Sequence, residues 1–298
     1  MANAIEVRGL TYQPDRSFAI RDMNLSVPAG SIYGFLGPNG AGKSTTIRLL
    51  LGLARAQTGE IRMLDGRVPA DIARILARTG YVPERPHLYP GLSGHEAIRS
   101  HSAFYATWDA AWSSQLQKQF EIPLDRRIGS MSKGEVGKLM ILLALSQRPE
   151  LLVLDEPTDG LDPMVRRDAM SAVLEYVAET RATVFVSSHL VHELERMCDW
   201  VGVLDHGRMV AELPIDVFKK GVKRLRLSEA PSEVGNAPFT VLSRGRNGSG
   251  SSELWVVRGW DDSMSEYLQS RGASLREVID LDLEEVFVEF LRSSRAAR

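Results

Sequence analysis

The run Gly37-Pro38-Asn39-Gly40-Ala41-Gly42-Lys43-Ser44-Thr45 holds the residue types that a phosphate group needs, in a workable order. Glycines let a backbone curl until its N–H groups converge on phosphate oxygens. The lysine that follows is long enough to reach the β- and γ-phosphates of a nucleotide, and the Ser44 hydroxyl suits Mg²⁺. The run fits G-x-x-x-x-G-K-[ST], a pattern that is informative between a strand and a helix. The flanks supply both. SIYGFLG is a short apolar run that stops at glycines, and KSTTIRLLLGL has a helical pattern. That helix would turn its positive dipole end to the phosphates.

Two more stretches could add chemistry. Leu151-Leu-Val-Leu154-Asp155-Glu156 is an apolar strand ending in two acids. In a parallel sheet such acids stand at the carboxyl edge, where ligands bind. Asp155 suits a Mg²⁺ shell through water, and Glu156 is placed to polarise an attacking water. The lesser reading of the pair on its own is a helix cap at a strand-to-helix turn. TVFVSSH ends a β-branched strand in His189. A histidine there is usually structural, but beside a phosphate site it could contact the γ-phosphate and hold the water.

These residues must be positioned by a chain of 298 residues, 44% hydrophobic and 25% charged, with 36 basic and 38 acidic side chains. The near-neutral balance gives no sign of a nucleic-acid footprint, which would show as a strongly basic domain. A single cysteine, Cys198, excludes an intrachain disulfide and a Cys-rich metal site, and its expected role is packing in a reducing compartment. The N-terminal residues lack the basic start and apolar stretch of a secretory signal, and no apolar run reaches the roughly 18 residues of a membrane span. The expectation is a cytosolic chain that leaves any membrane crossing to another polypeptide.

Residues 4–36 look β-rich, and strand, glycine loop and helix together form one unit of a parallel sheet. Residues 91–148 read as helical. Ser93 and Glu96 have capping-box spacing, and a second helix is expected from about Glu135 to Ser146, before Pro149. DWVGVLDHGRMVAEL reads as a hairpin turning at Asp205-His206-Gly207. Beyond about residue 220 the character changes. Residues 222–298 read as a small α+β appendage. RGRNGSGSS would be its hairpin loop, and LDLEEVFVEFLR its closing helix. The Asn247-Gly-Ser249 sequon has no meaning in a cytosolic loop. The basic run from Lys219 to Arg226 reads as a solvated connector in preference to a lipid-binding patch.

Taken together, the glycine loop, LLVLDEP, Gly160-Leu161-Asp162 and His189 resemble the ATPase subunit of ABC transporters, over roughly residues 4–215. The resemblance implies an α/β fold. Its P-loop NTPase (RecA-like) core would carry an antiparallel β subdomain and an α-helical subdomain (about 91–148), within an ATP-binding domain of residues 1–220. Residues 221–298 would form an accessory C-terminal domain. It also implies ATP and Mg²⁺, and a head-to-tail dimer in which the loop of one protomer and the signature of the other enclose each ATP. Gly80-Tyr-Val-Pro-Glu84 matches the Q-loop, Met131-Ser132-Lys133-Gly134-Glu135 the signature, and Asp162 the D-loop acid that contacts the facing protomer. Ser132 and Gly134 precede a predicted helix, so a hydroxyl, N–H groups and a dipole could grip a γ-phosphate.

The departures fall on coupling rather than binding. Glu84 replaces the usual glutamine; it can still serve Mg²⁺ or its water but lacks the amide donor. In the signature, Lys133 stands for glycine and Glu135 for glutamine. Lys133 could attract the facing ATP, and Gly137 weakens the signature helix by about 1 kcal/mol relative to Ala. For base stacking Tyr12 is the nearest aromatic, with Phe18 as the other choice and a core role equally open to each. Arg85 to Tyr89 either lines a groove for a permease or is a surface loop.

YVPE-x-P-x-LYP, the S-K-G of the signature and the tail Ile279-Asp-Leu-Asp-Leu-Glu-Glu-Val-Phe287 resemble the subfamily serving ABC-2-type exporters. That implies a separate membrane-spanning permease, a homodimer or heterodimer of ATPase subunits, no nucleic-acid partner, and a peripheral place on the cytoplasmic face of the membrane. The other reading is a non-transport ABC ATPase acting on a soluble or ribosomal partner. The single domain and the lack of long heptads weigh against it. A GTPase would want Asn-Lys-x-Asp, and no asparagine here precedes lysine.

Overall fold

Leu151 to Asp155 is apolar up to its last residue because the strand is covered on both faces. The computed structural model describes residues 2–15, 18–231, 237–246 and 252–296, the side chains of Glu193 and Arg246 aside. Strands β1 (Asn3–Tyr12) and β2 (Ile20–Pro28) open the chain. β3 (Ile32–Leu36) leads through the glycine loop into α1 (Lys43–Leu50). β4 (Thr58–Met63), β5 (Gly66–Val68), α2 (Ile72–Leu76) and β6 (Thr79–Val82) follow. Next come α3 (Gly94–Ser102), α4 (Ala110–Phe120) and α5 (Lys133–Ser146). β7 (Leu151–Asp155), α6 (Pro163–Thr180), β8 (Thr183–Ser188) and α7 (Val191–Leu194) return the chain to the sheet. β9 (Trp200–Asp205), β10 (Arg208–Pro214) and α8 (Ile215–Lys220) complete this part. The remainder is β11 (Val222–Leu227), β12 (Thr240–Arg246), β13 (Glu253–Arg258), α9 (Ser265–Ser270), β14 (Leu275–Asp280) and α10 (Leu283–Ala296).

The central sheet has the order β10-β9-β3-β8-β7-β6, parallel apart from the β10 edge. Alternation splits its side chains between two cores. Tyr33, Phe35, Leu151, Val153 and Phe185 face an antiparallel sheet of order β2-β1-β4-β5 together with α1. Ile32, Leu36, Leu152, Leu154 and Val186 face the opposite way, onto α4, α5 and α6. Tyr33 stacks on Phe185 at 5.6 Å, and its hydroxyl donates to Glu212 at 2.8 Å. Burial pushes that phenol well up, so it stays a donor.

The helical region follows local signals. Ser93 and Glu96 form a complete capping box at α3. So do Ser132 and Glu135 at α5, which therefore begins at Lys133, two residues before the expected start. The hairpin turns at His206 and Gly207, with φ of 47° and 73°, the pairing that a two-residue turn with both φ positive requires.

The appendage is an antiparallel sheet of order β12-β13-β11-β14 with its own core around Trp255, Leu225 and Leu268. The pairing of β12 with β13 agrees with a hairpin, but its loop and the Asn247 sequon lie outside the described residues. Four of the five basic side chains of the run are paired within the chain. Lys219 pairs with Glu195, Lys223 with Asp280, Arg224 with Glu285 and Arg226 with Glu277. The second half of the run is not a solvated connector but β11, an interior strand of the appendage sheet. The closing helix α10 returns to the main body. Phe290 stacks on Phe218 at 5.2 Å, and Leu283, Val286 and Phe287 join the larger core. Cys198 is buried there, and burial pushes its thiol up, which fits packing rather than nucleophilic chemistry. Among the described residues no helix is long and apolar enough to cross a membrane.

Candidate active site

Parallel register brings four strand ends to one level. Leu36 pairs with Ser188, Asp155 with Ser187, and Val82 with Leu154. The loops after β3, β6, β7 and β8 therefore open on the same edge, where α/β sheets bind ligands. A cleft of about 390 Å³ lies there. Asn39, Gly40, Gly42, Lys43, Ser44 and Thr45 form one wall, and Glu84, Glu156, Asp159 and His189 the other, with Phe18 at the rim.

The glycine loop is shaped by two close approaches. A Cβ at Gly37 would stand 2.6 Å from the Leu204 carbonyl oxygen. Gly42 has φ 113°, and a Cβ there would stand 2.9 Å from the Phe18 ring. Gly42 is also the N-cap of α1 and offers no side chain to cap it, while its carbonyl accepts from Thr46. The first-turn N–H groups of α1 thus have no protein partner among the described residues and remain available to an anion. From outside, the turn residue Gly207 donates its N–H to the Ala41 carbonyl at 2.8 Å.

Lys43 is 5% exposed and donates to the carbonyls of Gly37 at 2.6 Å and Pro38 at 3.3 Å. Its ammonium also lies 3.0 Å from Glu156 Oε1. That oxygen takes no hydrogen bond among the described residues, so the contact is Coulombic. The other oxygen, Oε2, meets His189 Nδ1 at 2.9 Å and the His189 backbone N–H at 3.4 Å. Glu156 thus stands between a lysine and a histidine. It has φ 48°, a left-handed conformation uncommon outside glycine, and its backbone N–H donates to Ser187 Oγ at 3.0 Å.

Asp155 is buried beside it. Its Oδ1 accepts from Ser187 Oγ at 2.7 Å and from Ser44 Oγ at 3.2 Å. Burial raises its pKa. The two hydroxyls lower it, and the charges of Glu84 and Glu156 raise it further. A carboxylate held up by burial and by like charges is one that a cation would stabilise. Among the described residues no cluster of three or more His, Cys, Asp or Glu could hold a metal ion. The Ser44 hydroxyl beside Asp155 fits Mg²⁺, which takes one or two carboxylates with substrate phosphates in preference to an all-protein cage.

The fold therefore gathers the glycine loop, Glu84, Asp155, Glu156 and His189. Both candidate aromatics, Tyr12 and Phe18, pack against the core under the antiparallel sheet; Phe18 also lines the cleft, and Tyr12 is not among its lining residues. The end of β1, where Tyr12 sits, pairs with Ile20 and is held inside the sheet. Ser132, Lys133, Gly134, Glu135 and Asp162 also stand outside the cleft. Ser132 and Glu135 cap α5, and Asp162 caps α6 through the N–H groups of Met164 and Val165. Lys133 lies over Gly160 and 3.7 Å from Asp159. Two residues of the site carry no sequence signal of their own. Ser187, which joins Asp155 to Glu156, reads as one more polar residue in TVFVSS. Asp159 gains meaning from the turn that aims it into the cleft.

With that geometry in view, the likenesses are specific. The ABC transporter family model matches residues 20–159. The bacitracin transport ATP-binding protein of Bacillus licheniformis is 34% identical over 225 residues, covering 74% of this chain and 72% of that one. A Nod factor export ATP-binding protein of Burkholderia orbicola is 33% identical, with 70% of each chain covered. The ABC transporter ATP-binding protein YtrB of Bacillus subtilis is 25% identical over 287 residues, 95% of this chain and 97% of that one, so the likeness extends through the appendage. A solved structure of the ATP-binding subunit of an ABC transporter superposes with a TM-score of 0.66 at 28% identity, covering 73% of this chain and 92% of that one. A nucleotide loop facing two acids and a histidine across one sheet edge, carried on a fold and sequence shared with these proteins, makes this chain a member of the ABC transporter family, and within it an ATP-binding and ATP-hydrolysing subunit.

Proposed function

We propose that this chain powers export through a separately encoded membrane-spanning permease, working as a dimer of ATPase subunits on the cytoplasmic face of the membrane. The observation that carries the reading is the Glu156 carboxylate between Lys43 and His189 at the phosphate loop. A relative named for bacitracin transport supports the transport reading, and one named for Nod factor export supports its direction.

In this reading the loop N–H groups from Gly37 to Thr45 and the Lys43 ammonium hold the β- and γ-phosphates of ATP. Ser44 and Asp155 hold Mg²⁺, with Glu84 reaching the ion or its water; when bound, the ion neutralises charge on the phosphate oxygens. As phosphates draw Lys43 away, Glu156 is released to accept a proton from the attacking water. His189 keeps hold of Glu156 and contacts the γ-phosphate. Phe18, at the rim beside Gly42, stacks on the base in the place expected of Tyr12. Ser132, Lys133 and Gly134 close the same ATP from the facing protomer, and Asp162 contacts that protomer across the interface. Hydrolysis then requires dimer closure, which is how it is tied to the permease. Residues 1–220 carry this work, and residues 221–298 regulate it.

The test is affinity purification of tagged protein from detergent-solubilised native membranes. A multi-span membrane protein in roughly equal amount is expected. A soluble or ribosomal partner in its place would overturn the transport reading and leave the ATPase untouched.

A further inference from the structure

A second cavity, of about 630 Å³, opens where the appendage meets the main body. Its polar lining is made by Arg21, Arg208 and Arg258 with Ser293 and Ser294, and its floor by Val210, Leu242 and Phe290. The three arginines come from three strands, β2, β10 and β13, and converge only because α10 docks the appendage against the main body. Among the described residues none of the three makes an ion pair or a side-chain hydrogen bond; Arg258 rests over the Phe290 ring at 5.7 Å. The Ser293 and Ser294 hydroxyls have no hydrogen-bond partner among the described residues either.

Among the described residues, neighbouring charges do not neutralise this group. The buried carboxylate of Glu289 is already engaged by Arg292 at 2.9 Å and by the Ser243 hydroxyl at 2.7 Å. That of Asp205 is engaged by Arg295 at 3.4 Å. The arginines could instead serve the negative end of α10, but among the described residues none of them donates to its last carbonyls. All three arginines are exposed, so solvent screens their mutual repulsion, and their guanidinium forks match phosphate oxygens in geometry. An apolar floor adds room for a body other than the phosphate.

We infer that this cavity is a binding site for a phosphate-bearing anion with an apolar part, bridging the ATPase core and the C-terminal appendage. The site lies outside the nucleotide cleft and does not depend on which partner the chain serves. It is mechanically close to that cleft. Arg208 follows Gly207, whose carbonyl accepts from the Arg21 N–H at 3.0 Å and whose own N–H supports Ala41 of the glycine loop. A bound anion would hold both the hairpin turn and the appendage.

The ligand could be a soluble phosphate compound or a lipid headgroup, and the two are separable. Full-length protein kept in saturating Mg-ADP, so that the glycine loop is filled, is titrated with inorganic pyrophosphate by calorimetry. In parallel it is sedimented with vesicles of phosphatidylglycerol or of phosphatidylcholine. Binding of one equivalent of pyrophosphate assigns the soluble source; retention on phosphatidylglycerol alone assigns the headgroup. In either case Arg208→Gln and Arg21→Gln should each weaken binding about tenfold. Neither carries a packing contact like that of Arg258, so loss of fold is not a competing cause. Arg67→Gln, which removes the same charge at a site 64% exposed on the antiparallel sheet, should have no effect. Absence of binding to both probes, or equal weakening by Arg67→Gln, would overturn the assignment.

Discussion

At the residue scale the site works by competition for charge. Lys43 and Glu156 are 5% and 10% exposed, so neither is well solvated, and each is the other's nearest opposite charge in the cleft. Ser187 has a quieter part. It donates to Asp155 and accepts from the Glu156 N–H, fixing both acids with one hydroxyl. Ser187→Ala should lower the rate of hydrolysis about 10–100-fold, as loss of a group that orients a ligand does. It should also move the pH dependence. The Ser187 bond favours ionised Asp155, so its loss raises a pKa that burial already raises. The Mg²⁺ requirement should therefore climb at higher pH in the variant than in the wild type as the solution is acidified, read from Mg²⁺ titrations across pH. The glycine loop, the acids and His189 were legible in sequence because each ends an apolar run. Ser187 and Asp159 were not, because their meaning comes from what the sheet and turns place opposite them.

At the element scale local chemistry was the most readable. Capping boxes begin α3 and α5, and a third, Asp282 with Glu285, begins α10. Each satisfies N–H groups that the helix cannot. The signature Glu135 illustrates the limit of a family pattern. Where the family has glutamine, this carboxylate is turned back on the Ser132 N–H and onto Arg126 at 3.2 Å, which stabilises the helix start. Asp109 caps α4 through the Trp112 N–H and also pairs with Arg148, whose guanidinium lies 4.7 Å from the Trp112 ring. The Trp112 N–H and Arg148 hold its carboxyl below the ordinary value. A depressed acid stabilises above its unfolded pKa, and that stability is lost as pH falls through the folded one. Asp109→Ala should cost about 1–2 kcal/mol at neutral pH. In denaturant titrations the difference should vanish in acid, below the usual carboxylate range.

At the scale of the whole molecule the boundary near residue 220 is a change in sequence character more than a break in packing. The composition shift is real, and the second sheet has its own core. The helix after it nevertheless belongs to the larger core, through Phe290 on Phe218. Sequence periodicity marked α10 as a helix but carried no information about which body it would join. Phe290→Ala should cost about 3–5 kcal/mol. It should lower a single cooperative transition in thermal unfolding rather than split off a separate one for the appendage. In the proposed function Glu156 turns bound ATP into a hydrolysed one, inside a dimer that neither protomer completes alone. Glu156→Gln removes the charge that competes for Lys43 and the base that activates water. The direct measurement is light scattering of that variant at saturating Mg-ATP, with phosphate release followed in the same sample. A stable ATP-bound dimer, absent in Mg-ADP, with hydrolysis reduced about 10²–10⁴-fold is the expected result. A variant that stays monomeric, or that hydrolyses at the wild-type rate, would contradict it.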